Sequence, residues 1–89
     1  MIEVAFSSSF KRAFKTKVAG KPDTAERFWE RLEVFKNNPF DPTLRTHRLS
    51  GKLKHLWSFS IEYDLRVLFQ FVDDHRAVFI DIGTHKEVY

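Results

Sequence analysis

The hydrophobic pattern of this chain changes period once, close to Leu56, and this change limits the folds that the chain can adopt. Before it, apolar residues recur every three or four positions, as on one face of a helix. They are Phe10, Ala13, Phe14 and Val18, followed by Ala25, Phe28, Leu32 and Phe35. After it, apolar residues alternate with other residues, as in a strand. They are Trp57, Phe59, Ile61 and Tyr63, followed by Leu65, Val67, Phe69 and Phe71. The sequence therefore predicts helices followed by a sheet.

Capping residues, glycine and proline mark where the two helices begin and end. One of the serines at positions 7 to 9 is expected to cap the first helix, and Gly20 with Pro22 ends it. Asp23 is predicted to cap the second helix, with Glu26 completing a capping box. Because the connection between the helices is so short, we expect an antiparallel helical hairpin.

The remaining segments complete an element order of β-α-α-β-β-β. Residues 2–6 predict a short first strand, residues 39–47 an irregular surface segment, and Asp73-Asp74-His75 a turn before the last strand, which Val78, Ile80 and Ile82 supply. We therefore expect an α+β fold in one domain, residues 1–89, with a small antiparallel sheet and the helical hairpin packed on one face. The polar face of strand 57–63 and the carboxy-terminal tail should line the other face.

The composition agrees with one small domain. A chain of 89 residues has room for a single core, and its ten phenylalanines supply large apolar side chains for that core. There is no cysteine, so neither disulfides nor thiolate ligands contribute. No apolar segment approaches the roughly 20 residues that span a bilayer, and Glu3 stands where a signal peptide would be basic. We expect a cytoplasmic protein without a membrane partner.

The charges are segregated along the chain. No acidic residue occurs between Glu3 and Asp23 or between Asp41 and Glu62. The basic residues in those two segments are Lys11, Arg12, Lys15, Lys17 and Lys21, and then Arg45, Arg48, Lys52 and Lys54. Such segregation is typical of a basic face with a polyanionic partner, and equally of a lysine-rich solvated surface.

Several residues have side chains suited to cleaving a phosphodiester. The four histidines lie in different segments without the spacing of a metal motif, so we expect no metal site. RNA transesterification needs a base for the 2′-hydroxyl, positive charge for the phosphorane and an acid for the leaving 5′-oxygen. His47 and His85 can transfer protons, Arg66 can bind phosphate, and Tyr89 can stack on a base. Each also has a structural interpretation, and Asp64 fits a turn or an ion pair with Arg66.

Three local motifs resemble the RelE/ParE superfamily of bacterial toxins, in its RelE, YoeB and YafQ branch of mRNA interferases. The two central strands of the family resemble Leu53-Lys-His-Leu-Trp57 and Ile61-Glu-Tyr-Asp-Leu-Arg66-Val-Leu-Phe. The tail of YafQ-like members resembles Gly83-Thr84-His85, and the ending of RelE resembles Lys86-Glu-Val-Tyr89. The similarity covers essentially the whole chain, including the order of its elements.

The resemblance assigns roles to individual residues. Arg66, His85 and Tyr89 match functional positions of the family, and His47 and Asp64 match catalytic positions of the YafQ-like branch. Lys52 and Lys54 resemble paired basic residues that hold mRNA in RelE-like members, and Arg45 and Arg48 extend that basic run. Three positions depart from the pattern, where Ser60 replaces a histidine, Leu65 a tryptophan that stacks on substrate, and Asp81 an arginine near the cleaved phosphate.

The function implied by the resemblance is that of a type II toxin. It would be a metal-independent endoribonuclease without a cofactor, cleaving mRNA on the ribosome and forming a hetero-oligomer with a cognate antitoxin. Two alternatives stay open. One is a non-enzymatic, ParE-like inhibitor of gyrase, although ParE-like chains generally lack the histidine and tyrosine tail. The other is an inactive RNA-binding or regulatory relative, which Leu65 and Asp81 favour.

Overall fold

The computed structural model describes all 89 residues, which form five strands and three helices. In chain order they are β1 (Glu3–Phe6), α1 (Ser8–Lys17), α2 (Pro22–Asn37), β2 (His47–Arg48), β3 (Trp57–Glu62), β4 (Leu65–Asp73), β5 (Arg76–Gly83) and α3 (His85–Val88). Two short 3-10 turns, Pro42–Leu44 and Gly51–Leu53, flank β2. The predicted α+β class and element order are confirmed, while the two-residue β2 and the four-residue α3 were not predicted.

The strands form one sheet in the order β1-β5-β4-β3-β2, and this sheet is mixed. The pairs from β2 to β5 are antiparallel, but β1 runs parallel to β5, with Val4 opposite Ala77 and Phe6 opposite Phe79. The prediction of an antiparallel sheet is therefore wrong for β1. Alternation within a strand carries no information about the direction of its neighbour, and parallel pairing requires a long crossover, which the helical hairpin and the meander provide here.

The first helix begins as predicted and the second begins earlier than predicted. Ser7 caps α1, since its Oγ accepts a hydrogen bond from the Phe10 amide at 3.1 Å. Asp23, predicted as the cap of α2, lies instead in the first turn, and Lys21 occupies the cap position without a side-chain bond. Pro22 explains the difference, because its fixed φ and missing N–H suit the first helical position.

The core lies between α2 and one face of the sheet and is built from phenylalanines. Phe28, Leu32 and Phe35 share one buried cluster with Phe59 and Ile61, as the periodicity predicted. The Phe35 ring is fully buried and lies 5.0 Å from Phe59, 4.9 Å from Phe69 and 5.3 Å from Phe79, centroid to centroid. These separations are in the range favoured by aromatic pairs, so Phe35 joins α2 to three strands at once.

One side chain predicted to share the core face does not lie on it, and the alternation of the last strand is interrupted. Tyr63 is 95% exposed, because β3 ends at Glu62 and Tyr63 belongs to the turn that follows. In β5 the buried core residues are Ala77, Phe79 and Ile82, so the alternation is interrupted after Phe79, and Ile80 packs against a second cluster on the opposite face. The cause is a shift in the pairing of β4 with β5, in which Leu68 lies opposite Asp81 but Phe69 lies opposite Phe79. Ile80 of β5 is therefore an extra residue without a partner on β4, as in a β-bulge.

The second cluster covers part of the open face of the sheet, opposite the helical hairpin. Its buried members are Leu56, Leu68 and Val88, and Val88 belongs to α3. The carboxy-terminal tail is therefore packed against the sheet. No helix of the chain combines the length and apolar character that crossing a membrane requires.

Replacing Phe35 with alanine should lower the free energy of unfolding by about 3–5 kcal/mol, since a fully buried ring is removed and a cavity remains. The matched control is Tyr63→Ala, which removes an aromatic side chain that is 95% exposed and should change stability by no more than about 0.5 kcal/mol. Urea denaturation of both variants measures the difference. Equal losses would contradict the assignment of the core.

Candidate active site

The candidate site occupies two adjacent rows of residues on the open face of the sheet. In one row, Arg66 of β4 lies between Gly83 of β5 and Ser60 of β3. In the next row, Leu68 lies between Asp81 and Ser58, and His47 of β2 follows Ser58. The pairing of β2 with β3 thus places His47 at the edge of this face, in a strand rather than in the predicted loop.

The tail returns over this face because of a capped turn after β5. The Thr84 amide donates to Glu87 Oε1 at 2.8 Å, as part of a capping box that starts α3, and Glu87 also forms an ion pair with Lys17 of α1. Gly83 allows the close return, since a Cβ there would lie 3.1 Å from Glu87 Oε1 and 3.2 Å from Val88 Cγ1. These contacts fix where His85 and Tyr89 can lie.

Tyr89 connects the tail with both histidines. Its hydroxyl donates a hydrogen bond to Oγ of the fully buried Ser58 at 2.6 Å and lies 3.5 Å from Nε2 of His47. Its ring packs edge-on against His85, with the centroids 4.5 Å apart and the planes at 75°. Three residues predicted as catalytic, from positions 47, 85 and 89, therefore lie together.

The neighbours of His47 indicate which ring nitrogen is free. Nδ1 lies 3.0 Å from the Arg45 carbonyl oxygen, which can only accept a hydrogen bond. In the neutral ring the proton therefore belongs on Nδ1, and the lone pair of Nε2 faces the Tyr89 hydroxyl. Because that hydroxyl donates its proton to Ser58, Nε2 is available to accept a proton from another molecule.

Arg66 has more hydrogen-bonding capacity than the protein uses. The guanidinium carbon lies 5.9 Å from the centre of the Tyr89 ring, and Nε and one terminal nitrogen are buried without a hydrogen-bond partner. None of the three ion pairs in the protein includes Arg66. Two unpartnered donors on a half-buried cation are suited to an anion with several oxygen atoms.

Asp64 does not form the predicted ion pair with Arg66. It lies in the exposed turn between β3 and β4, where its Oδ1 accepts a hydrogen bond from the His85 amide at 3.3 Å. Asp64 is therefore a turn residue without an ion pair to Arg66. Asp64 contacts the first residue of α3 and so helps to hold His85 in place.

The predicted RNA-binding residues form an exposed basic loop around β2. Arg45, Arg48, Lys52 and Lys54 are all exposed, and none forms an ion pair. Arg48 Nε donates to the Lys54 carbonyl at 2.7 Å, which joins the two ends of this loop. We call Arg45, Arg48, Lys52 and Lys54 the basic loop.

The turn before the basic loop is held by Asp41. Its Oδ1 accepts hydrogen bonds from the Thr43 hydroxyl at 2.7 Å and the Thr43 amide at 2.9 Å. These bonds hold the pKa of Asp41 below its usual range, and the charge of Arg31 contributes in the same direction. The turn ends at Arg45, whose φ of 52° is left-handed, and Arg45 then presents its carbonyl to His47.

The three departures from the family pattern lie in different surroundings. Leu65 is buried in the main core, so it cannot stack on a substrate. Ser60 is half-buried beside Arg66. Asp81 is half-buried one row from Arg66, and its Oδ1 accepts a hydrogen bond from the Ile82 amide at 2.9 Å. The negative charge of Asp81 is therefore near the anion site but has no cationic partner within ion-pair distance.

One contributor was missed in the sequence. Ser58 is the only polar residue in the buried set, and its hydroxyl is satisfied by Tyr89. Alternation placed Ser58 on the open face together with the tail, but nothing in the sequence showed that Tyr89 would form a hydrogen bond with it. The protein contains no cluster of three or more histidine, cysteine, aspartate or glutamate side chains that could hold a metal ion.

Comparison with known proteins identifies the family. Residues 2–89 match the family described as the YafQ bacterial toxin of type II toxin–antitoxin systems. No curated protein sequence matches the chain.

Solved structures of such toxins share the fold. A metal-bound toxin from Helicobacter pylori superimposes with a TM-score of 0.80 at 21% identity, covering 100% of both chains. YafQ from Escherichia coli strain BL21(DE3) gives 0.77 at 18% identity, covering 100% of this chain and 99% of that one. The YoeB–YefM complex from Staphylococcus aureus gives 0.75 at 16% identity, with coverage of 96% and 98%.

The family match spans nearly every residue, and it includes both the sheet that carries Arg66 and the tail that carries His85 and Tyr89. The chain therefore belongs to the YafQ family of bacterial toxins of type II toxin–antitoxin systems.

Proposed function

We propose that this toxin is an endoribonuclease that cleaves mRNA held in the ribosome and so inhibits translation. The observation that carries the proposal is the Arg66 guanidinium, which keeps two buried, unpartnered nitrogens beside a tyrosine that contacts two histidines. Positive charge next to imidazole groups is the combination that phosphodiester transesterification requires.

In the proposed reaction, His47 is the base. The lone pair of Nε2 takes the proton of the RNA 2′-hydroxyl, and the 2′-oxygen attacks the neighbouring phosphorus. The hydrogen bond of Nδ1 with the Arg45 carbonyl favours this tautomer and stabilises the imidazolium that forms. Imidazole suits the role because its unperturbed pKa is close to 6.5.

Arg66 stabilises the phosphorane. Its free nitrogens donate to the non-bridging phosphate oxygens, whose negative charge grows as the 2′-oxygen adds. Because the guanidinium is half-buried, its attraction for this charge is less screened by water than on the surface. The packing of Arg66 beside the Tyr89 ring limits the motion of the group before substrate arrives.

His85 is the acid and Tyr89 positions the substrate. His85 is exposed at the start of α3, where the imidazolium form can protonate the leaving 5′-oxygen. The half-exposed Tyr89 ring offers a face to a base, while its hydroxyl stays bonded to Ser58. Asp64 acts through His85 by binding its amide. Both proton transfers are assigned to imidazole groups, so the reaction as proposed needs no metal ion or cofactor.

The ribosome and the basic loop supply the alignment of the substrate. Few protein groups touch the reacting atoms, so an mRNA already held in one geometry would greatly reduce the entropic part of the barrier. The exposed charges of the basic loop lie next to His47 in the chain and would neutralise phosphates that flank the cleaved bond.

His85→Ala should reduce single-turnover cleavage of mRNA on programmed ribosomes by about 10²–10⁴-fold, because proton transfer to the leaving group is lost. Arg66→Ala should reduce it by about 10²–10³-fold, as for the loss of one oxyanion donor. Tyr89→Phe is the matched control, since it keeps the ring and removes only the hydroxyl, and its effect should be the smallest. Undiminished cleavage in the first two variants would overturn the site assignment. Intact mRNA with the unchanged protein would favour the gyrase-directed or inactive alternative.

Lys52→Ala with Lys54→Ala should weaken RNA binding and make it less dependent on salt. Each lost phosphate contact lowers the slope of log affinity against log salt by about 0.7 for a single strand. A matched pair on α1, Arg12→Ala with Lys15→Ala, removes the same charge outside the basic loop. If both pairs behave alike, the basic loop is merely a solvated surface.

The toxin should be restrained by an antitoxin encoded beside it. The YoeB toxin of Staphylococcus aureus, which shares this fold, is found in a complex with YefM. An acidic, partly disordered segment folding over the basic loop and the candidate site would neutralise both. Co-expression with the neighbouring gene should yield a co-purifying hetero-oligomer, and a free toxin that cells tolerate at high expression would contradict this expectation.

A further inference from the structure

A cavity of about 250 Å³ lies at the outer edge of the sheet, beside the candidate site. The strand β2 pairs only with Trp57 and Ser58. Residues 60–62 of β3 therefore have no neighbouring strand on the side away from β4. The cavity opens there, between α2, the turn that ends at Arg45 and the exposed Tyr63. None of the proposed catalytic side chains lines it.

The charge lining this cavity is strongly positive. Arg27 and Arg31 lie one turn apart on the same face of α2, and Arg45 approaches from the 3-10 turn. Glu62 is the single acidic residue among the lining residues, and it forms no ion pair with any of the three arginines. Glu62 is the only carboxylate that lines the cavity, so the lining carries a net charge of two positive units. Asp41 lies outside the lining but close enough to Arg31 for its pKa to be lowered by the arginine charge.

Arg31 has hydrogen-bonding capacity that the protein does not use. Its Nε is buried and has no hydrogen-bond partner, which costs free energy in a protein. Outside Arg66 it is the only buried side-chain nitrogen or oxygen atom in the protein that lacks a partner. A phosphate group between the arginines would accept from Nε and satisfy the forked geometry of the guanidinium groups.

Tyr63 adds an aromatic surface at the rim of the cavity. Its side chain is 95% exposed, so both faces of the ring are accessible to a partner. An exposed aromatic ring next to arginines is the combination with which proteins hold unpaired nucleotides, the base stacking on the ring and the phosphate binding the cations. The cavity and its rim together fit one nucleotide.

The cavity is continuous with the candidate site through two residues. Ser60 lines the cavity and pairs with Arg66 across the sheet. Arg45 lines it with its side chain, while its carbonyl bonds His47. A single strand leaving the cleavage site along the edge of β3 would therefore enter the cavity.

We propose that this cavity binds a flanking nucleotide of single-stranded RNA, its phosphodiester between Arg27, Arg31 and Arg45 and its base on Tyr63. The identification of the ligand as RNA rests on the proposed function. The strand that enters the cavity is a segment of the message or an exposed segment of ribosomal RNA, since both present the same phosphodiester and unpaired bases.

The test measures binding without cleavage, with His85→Ala in every protein. A fluorescein-labelled, single-stranded oligoribonucleotide is titrated with the parent, with Arg27→Ala plus Arg31→Ala, and with Tyr63→Ala. The arginine pair should weaken binding about 10- to 100-fold, as expected for lost hydrogen bonds to a charged group, and should lower the salt slope by about 0.7. Tyr63→Ala should weaken it about 5- to 150-fold through lost stacking and leave the slope unchanged.

The controls separate this site from general electrostatics. Arg12→Ala plus Lys15→Ala removes the same charge from α1 and should leave the slope unchanged. Arg31→Lys keeps the charge but loses the fork, so its affinity should lie between those of the parent and the arginine pair. Thermal unfolding of each variant establishes that the fold is intact, and Arg31→Lys provides the test if the arginine pair fails to fold.

A second arm identifies the source of the RNA. Sedimentation with ribosomes free of message is measured for the same variants. Loss of oligoribonucleotide binding with unchanged binding to message-free ribosomes assigns the cavity to the message, whereas loss of ribosome binding assigns it to ribosomal RNA. Unchanged binding in both arms overturns the proposal.

The experiments distinguish a failure of the nucleotide site from a failure of the proposed endoribonuclease function. If the protein with His85 intact cleaves no RNA but the arginine pair still loses RNA binding, the endoribonuclease proposal fails and the nucleotide site stands. If cleavage depends on His85 and Arg66 while the arginine pair and Tyr63→Ala bind RNA normally, the proposed function stands and this inference fails.

Discussion

The packing of Phe35 against the sheet is the interaction on which the rest of this structure depends. One ring on α2 contacts phenylalanines of β3, β4 and β5, and so fixes the helical layer against three strands. A chain of 89 residues without disulfides has little other means of defining one arrangement. The phenylalanines of this face form the main core, and the polar side chains of the central strands lie on the opposite face of the sheet.

The open face acquires its geometry from the tail. Val88 packs with Leu56 and Leu68, and the Tyr89 hydroxyl bonds the buried Ser58, so the last two residues are held by apolar and polar contacts together. Both contacts join residues distant in sequence. Displacing the tail would expose Ser58 and separate the two histidines, so whatever covers or moves the tail also controls the candidate site.

Unsatisfied arginines distinguish the candidate site and the neighbouring cavity from the remaining basic surface. Most cationic side chains are exposed and solvated, which carries little information. Arg66 and Arg31 differ, since two buried nitrogens of Arg66 and one of Arg31 have no partner in the protein. The carboxyl group of Asp81 is half-buried one row from Arg66, and it makes the surroundings of Arg66 less positive than a neutral side chain there would.

The sequence by itself predicted the class of fold and the core face of both long helices and of the central strands up to Tyr63, because periodicity is a local property. Side-chain chemistry and the family resemblance nominated the residues of the candidate site. The sequence did not determine the direction of β1, the start of α2 at Pro22 or the shifted register at Asp81. Arg66 and His85 were recognisable from their chemistry, whereas Ser58, Arg27 and Arg31 were not. Their roles arise when Tyr89 closes over β3 and when α2 approaches the uncovered edge of that strand. Only tertiary structure decides which polar groups are buried without a partner.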